Sequence, residues 1–291
     1  MNQTLQKSYP ALAKKFGLPG LWIKHEYLNE SGSHKIRLVK FLIDGYLKKN
    51  KKSFVISSSG NAAIAAAYYL NKYIRRNVKL AVFVSNNIPT DKWRRLKNAS
   101  GETQNIIIKK VARPKQQAFL FSKKYESVLL RGSVEKNSPQ AYYSLASELA
   151  KIPNLKAVFI PTSSGVTAMG LHQTFKKLRK KIEIHVVQTE KIHPLARDFD
   201  HDFSPNEKSL ATAIVDRVGL RKKEVVRIIE CSSGSGWIIN DQFLKKAKKI
   251  YNKIDPLFQS CDSLLSLAGI IKAKEKNWPF SGPICCLFTG L

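Results

Sequence analysis

Cysteine is scarce in this sequence: four in 291 residues, at positions 231, 261, 285 and 286. None forms a CxxC pair, so neither a zinc ribbon nor a disulfide framework is indicated. Cys285 and Cys286 fall in the apolar run ICCLF, which predicts buried structural thiols and fits a reducing cytoplasm. No apolar run approaches the roughly 18–20 residues that a membrane span requires. The opening stretch MNQTLQKSYPALAKKFG has no apolar h-region, so a cytoplasmic protein without a secretory signal is expected. Acidic residues are few as well. There are 21 Asp and Glu against 50 Lys and Arg, a net charge of +29. A field of that size can attract nucleic acid, anionic membrane or phosphorylated metabolites. The basic residues nevertheless come as short scattered groups, such as LKKNKK, IRR, FKKLRKK and LKKAKK. There is no basic tail, RNP motif or helix-turn-helix signature. The expectation is a solvated basic surface, with no specific nucleic-acid partner and no membrane partner.

Hydrophobic residues make up 43% of the chain, enough for one large or two medium domains. Short, continuous, β-branched runs predict buried strands over 54–57, 78–84, 105–108, 128–130, 157–160, 182–188 and 284–288. Helical patterns fall between them, over 62–75, 90–98, 115–124, 139–150, 166–180, 241–253 and 263–275. This alternation predicts an α/β fold with parallel sheets. No internal repeat, low-complexity segment or long linker interrupts it.

One lysine stands out. In LNESGSHKIRLVKFLI, Lys35 follows a polar turn, Glu30 to His34, and opens an apolar-periodic run. Helix starts favour acids and hydroxyls because the dipole is positive there, so a cation is out of place. A solvated lysine is the plain alternative. Three strand-to-helix or strand-end junctions add to the pattern. In FVISSSGNAAIAAAYYL a strand runs through Ser58, Ser59, Gly60 and Asn61 into an alanine-rich helix. Free amides and the dipole converge there on any anion, although Ser and Asn also serve as ordinary caps. In AVFIPTSSGVTAMGL a strand meets Ser163, Ser164, Gly165, Val166 and Thr167. This run is neither a P-loop nor GxGxxG, and it offers several donors to one dianion. In SGPICCLFTGL the final strand delivers Thr289 to its carboxyl end, the edge where parallel sheets bind ligands. A lysine, an asparagine loop, a phosphate cradle and a terminal hydroxyl are together the set that pyridoxal 5'-phosphate would use.

The same residues carry a resemblance. LWIKHEYLNESGSHKIR resembles the lysine segment of the tryptophan-synthase-type (fold type II) pyridoxal phosphate enzymes, SSSGNAAIAAA their asparagine loop and PTSSGVTAMG their phosphate loop. Further segments, VVQTEKIHPLA, SLATAI, SLLSLAGIIKA and CCLFTG, follow in order and look most like threonine synthases. The resemblance runs from about Leu21 to the end. It implies a two-domain, three-layer αβα fold of the tryptophan synthase beta-like kind, with the cofactor between the domains. The smaller domain would be 33–138, and the larger 1–32 with 139–291.

By resemblance, Lys35 is the catalytic lysine that bonds the cofactor through an imine and then moves protons. Asn61 meets the ring 3-oxygen. Ser163, Ser164, Gly165, Val166 and Thr167 hold the phosphate, and Thr289 faces the ring nitrogen. Ser58, Ser59 and Gly60 take the substrate α-carboxylate. The implied activity is that of a lyase making threonine and phosphate from O-phosphohomoserine, with a phosphorylated amino acid as substrate. A serine/threonine dehydratase, or another elimination or replacement enzyme, is one alternative. A catalytically decayed homologue that binds the cofactor or a polyanion is another. A homodimer stays open, and no metal is implied. Departures from the family pattern are His34 and Ile36 beside the lysine, Ser163 and Val166 in place of loop glycines, and QSCDS at 259–263.

Overall fold

The computed structural model describes residues 3–58, 60–74 and 77–291. The chain begins with β1 (Gln6–Ser8), α1 (Pro10–Phe16), β2 (Leu21–His25), α2 (Lys35–Leu47), β3 (Ser53–Ser57) and α3 (Asn61–Tyr73). It continues through β4 (Lys79–Ser85), α4 (Thr90–Ser100), β5 (Ile106–Val111), α5 (Pro114–Lys124) and β6 (Val128–Leu129). Then come α6 (Tyr143–Leu149), β7 (Ala157–Pro161), α7 (Val166–Lys177), β8 (Glu183–Thr189), α8 (Lys222–Cys231) and β9 (Gly236–Ile239). It closes with α9 (Asp241–Tyr251), α10 (Cys261–Glu275) and β10 (Ile284–Phe288). The fold is α/β, with sheets that are mainly parallel.

Two compact units share the chain: Asn29–Ala141, and Met1–Leu28 with Tyr142–Leu291. In the smaller unit the strands run β5-β4-β3-β6, all parallel. Residues of α2, α3 and α4 bury an apolar layer against one face of this sheet, and Ala118 of α5 packs on Val55, Ala81 and Phe83 on the other. In the larger unit the order is β1-β2-β10-β7-β8-β9, antiparallel only at β1–β2. Every residue of β7 and β10 is buried, as expected of central strands covered on both faces. α9 and α10 supply the main apolar layer on one side.

The smaller unit starts at Asn29, not at 33, because the turn before α2 is tied to α3: Tyr68, Lys72 and Tyr73 all donate to the Glu30 carboxylate. It ends at Ala141, not 138, with Ser138 donating to the Gly132 carbonyl. The helix expected over 139–150 is α-helical only from Tyr143, after a 3-10 turn over Ser138–Tyr142. Pro139 sits inside that turn, where it leaves no amide for an α-helical bond. Arg75, the last residue of the helix expected over 62–75, lies outside the described residues, and α3 ends at Tyr73. β2 escapes periodicity because its sequence, LWIKH, buries a lysine and a histidine. The Lys24 ammonium is satisfied by Glu148 at 2.5 Å and by the Thr4 carbonyl at 2.7 Å. None of the described helices is long and apolar enough to cross a membrane. Cys285 and Cys286 are fully buried in β10, which pushes both thiols up, Cys285 to about 12. The described residues hold no group of three His, Cys, Asp or Glu able to bind a metal.

Candidate active site

Lys35 is the first residue of α2, and its N-cap, His34, makes no side-chain cap. Among the described residues nothing pairs with its ammonium, and burial pulls its pKa down to about 8. The helix dipole acts in the same direction, since a cation at a helix start is disfavoured. The turn ahead of it is held from outside. Glu30 accepts from Tyr73, Lys72 and Tyr68, and these bonds lower its pKa to about 2. Gly32, at φ +77°, folds the turn back so that its amide reaches the Asn29 carbonyl at 2.7 Å. Within this held turn, the Ser31 and Ser33 hydroxyl oxygens are buried without a hydrogen-bond partner. An unpaired buried hydroxyl costs roughly 1–3 kcal/mol, which a ligand would relieve.

The asparagine loop leaves the carboxyl end of β3. Ser58 Oγ accepts from the Gly60 amide at 3.2 Å, so the Ser58 hydroxyl proton points elsewhere. Gly60 caps α3 with backbone only: its carbonyl receives the Ala63 and Ile64 amides at 3.0 and 3.3 Å. The amides of Asn61 and Ala62 thus precede the first intrahelical bond. Asn61 Oδ1 is buried and has no partner. Ser59 lies outside the described residues.

In the larger unit the phosphate-loop candidates follow β7. Gly165 caps α7 in the left-handed region at φ 84°, ψ −8°, with no side-chain cap. A Cβ there would stand 2.3 Å from Val225 Cγ2, so both backbone and packing demand glycine. Val166 and Thr167 are buried, and Ser163 and Ser164 are half-buried. Ser163 Oγ accepts two amides, from Val215 and Asp216, each at 3.1 Å. Gln188 supports the loop from below: its Nε2 donates to the Thr162 carbonyl at 3.0 Å, and its Oε1 receives the Leu195 and Ala196 amides.

Thr289 belongs to the same sheet edge. β10 pairs with β7 in parallel, Cys286 opposite Phe159, so three residues further along both strands Thr289 faces the level of Thr162. Ser260 and Ser263 fix the chain just past it. Both hydroxyls donate to the Gly290 carbonyl at 2.6 Å, and the Gly290 amide returns a bond to Ser263 Oγ at 3.0 Å. Sequence reasoning marked QSCDS only as a departure. Its two serines position the end of β10.

The family model for pyridoxal-phosphate dependent enzymes matches residues 3–290. The chain belongs to this family. Solved structures with the same fold include maize serine racemase, with a TM-score of 0.81 at 19% identity, covering 99% of this chain and 88% of that one. The processed form of threonine deaminase isoform 2 from Solanum lycopersicum superposes with a TM-score of 0.82 at 15% identity, covering 99% and 84%. At such identities the likeness is one of fold. A curated relative, the L-serine dehydratase of Dictyostelium discoideum, is 36% identical over 93 residues, or 30% of this chain and 25% of that protein. The chain therefore matches about a quarter of that relative's length.

As a pyridoxal-phosphate dependent enzyme, the chain has residues that fit the cofactor. Asn61 Oδ1 and the Ser31 and Ser33 hydroxyls are buried atoms awaiting a partner, and Lys35 is an unpaired, desolvated amine. At the start of α7 no side chain caps the first turn, which leaves its backbone amides available to a phosphate.

Proposed function

We propose that the chain is a pyridoxal-phosphate-dependent lyase of the serine/threonine dehydratase type, acting on a small β-hydroxyamino acid. The observation that carries this reading is Lys35, an unpaired amine with its pKa lowered to about 8 by burial. A lysine with an ordinary pKa near 10.4 stays protonated at neutral pH and is a poor base. At about 8 it exchanges a proton within reach of physiological pH, as general acid–base work requires. The bound cofactor supplies the electron sink that acidifies the substrate α-proton.

The chain's own residues do the rest. Lys35 would hold the cofactor. Its free amine would take the α-proton, and the resulting ammonium would give a proton to the departing β-hydroxyl, which leaves as water. Ser58 and the amides at the start of α3 that have no intrahelical partner, those of Asn61 and Ala62, would take the substrate carboxylate. Asn61 orients the ring through its 3-oxygen. The loop Ser163–Thr167 would hold the phosphate through its hydroxyls and the amides at the start of α7. Thr289 would face the ring nitrogen, where a hydroxyl partner would leave that nitrogen largely unprotonated.

The substrate class is supported by the L-serine dehydratase match, a sequence likeness to a protein that is not a threonine synthase. The order of the two activities suggested by resemblance is therefore reversed. Threonine synthesis from O-phosphohomoserine becomes the second reading, favoured by the ordered segments VVQTEKIHPLA and SLATAI.

The test is direct. Borohydride reduction of the purified enzyme with pyridoxal phosphate, followed by peptide mapping, should place the pyridoxyl group on Lys35. Label on another lysine would overturn the assignment. Serine and threonine should then yield keto acid and ammonia. Phosphate and threonine from O-phosphohomoserine would promote the second reading. A labelled protein that turns over none of these would be a decayed binder.

A further inference from the structure

The segment from Ser209 to Arg221 has no regular secondary structure, yet it is fastened at intervals. The Leu210 amide donates to Asp241 at 2.9 Å and the Ala213 amide to Asp262 at 2.8 Å. The Val215 and Asp216 amides donate to Ser163, and Asp216 Oδ1 in turn receives the Val218 and Gly219 amides at 3.2 and 3.1 Å. At its end, Arg221 is buried with its guanidinium 3.8 Å from the Met169 sulfur of α7. This strap shows apolar side chains to solvent, with Val215 at 59% and Val218 at 72% exposure.

Two of the strap's anchors are carboxylates outside the phosphate loop. The middle one is different. A serine oxygen has two acceptor lone pairs and one proton. Both lone pairs of Ser163 are taken by the strap, and among the described residues its proton has no acceptor. The residue stands two positions before Gly165, the N-cap of α7.

We infer that Ser163 is a positioning residue that couples the cofactor's phosphate to the strap. Its oxygen holds the Val215 and Asp216 amides, and its one proton goes to the phosphate. A phosphate acceptor fixes the hydroxyl rotor, which leaves both lone pairs aimed at the strap. Glycine, the residue type the family resemblance places here, could do neither. The coupling rests on the cofactor reading above, while the latch between Ser163 and the strap does not.

The test uses hydrogen exchange of the Val215 and Asp216 amides, with trypsin cleavage after the exposed Arg217 as a second readout. Both are run on wild type, Ser163→Ala and Ser163→Thr, with and without pyridoxal phosphate, and cofactor content is read by absorbance in each sample. Without cofactor, Ser163→Ala should exchange these amides roughly ten-fold faster than wild type, the scale of one or two lost hydrogen bonds. Ser163→Thr, which keeps the hydroxyl, should restore protection. Adding cofactor should slow exchange and cleavage in wild type and in Ser163→Thr but not in Ser163→Ala. Equal protection in wild type and Ser163→Ala would overturn the latch. Cofactor binding that leaves strap exchange unchanged would overturn the coupling. Absence of any bound cofactor would overturn the cofactor reading and the coupling with it, and the latch would still be judged by the cofactor-free samples.

Discussion

Two strand-to-helix junctions on the same edge of the larger sheet, β7 into α7 and β9 into α9, solve one problem in opposite ways. A helix start leaves amides without intrahelical partners. At β9–α9 the sequence reads IINDQF, and Asn240 Oδ1 accepts the Phe243 amide at 3.0 Å. That start is closed by its own side chain. At β7–α7 the sequence reads IPTSSGV, and the cap is a left-handed glycine with no side chain to offer. Ser163, two residues before that cap, spends both lone pairs on another segment. One junction is closed by its own side chain; the other is not, and on the proposal above its amides serve the cofactor's phosphate. The starts of α2 and α3 are also without side-chain caps, and they carry Lys35 and Asn61.

The largest expected effect comes from closing the open junction. Gly165→Leu places a side chain where even a Cβ would lie 2.3 Å from Val225, on a backbone at φ +84°. Strain and overpacking together should cost roughly 2–5 kcal/mol of stability. Urea unfolding should show that loss, and absorbance after gel filtration should show that pyridoxal phosphate is no longer retained. Gly165→Ala with Val225→Ala removes the clash but keeps the strained φ, so it should recover part of the stability. Unchanged cofactor retention in Gly165→Leu would mean that the start of α7 is not the phosphate cradle.

The open junctions were legible in the sequence because their signal is local. A buried strand followed by hydroxyls, glycine and a helix pattern can be read without knowing what else is near. The runs at 157–160 and 284–288 also announced central strands, since continuous apolar sequence is what burial on both faces requires. What holds the open junctions in place was not legible. The partners of Ser163 lie 52 and 53 residues away, those of Glu30 38 to 43 residues away, and Gln188 reaches back 26 residues to Thr162. No periodicity predicts such bonds. β9 and α1 were missed as well.

A smaller effect belongs to the start of α2, where the unmatched group is a cation. In the folded, cofactor-free protein Lys35 has its pKa lowered by burial to about 8, against 10.5 when unperturbed. Between those values the unfolded chain holds the proton and the folded one has released it. Stability therefore rises with pH across about 8 to 10.5. Below about 8 the penalty of the buried charge is present in full, and above about 10.5 it is gone. Urea midpoints of cofactor-free enzyme should rise across this window relative to Lys35→Met, which removes the titrating group. Parallel curves for the two proteins would place the lysine in solvent and remove the reason for its reactivity.

The smallest effect tests the closed junction. Asn240→Ala deletes the side chain that caps Phe243 and leaves the amide to find water. Loss of such a cap typically costs about 1 kcal/mol. The residue begins a helix with no proposed ligand, so cofactor retention and the Lys35 label should stay at wild-type levels while the urea midpoint falls. The same substitution logic cannot be applied at α7, where there is no cap to delete and stability is lost by adding a side chain. If Asn240→Ala released the cofactor as readily as Gly165→Leu, the two junctions would not be distinct in kind. The open start of α7 would then be a feature of the fold and not of the site.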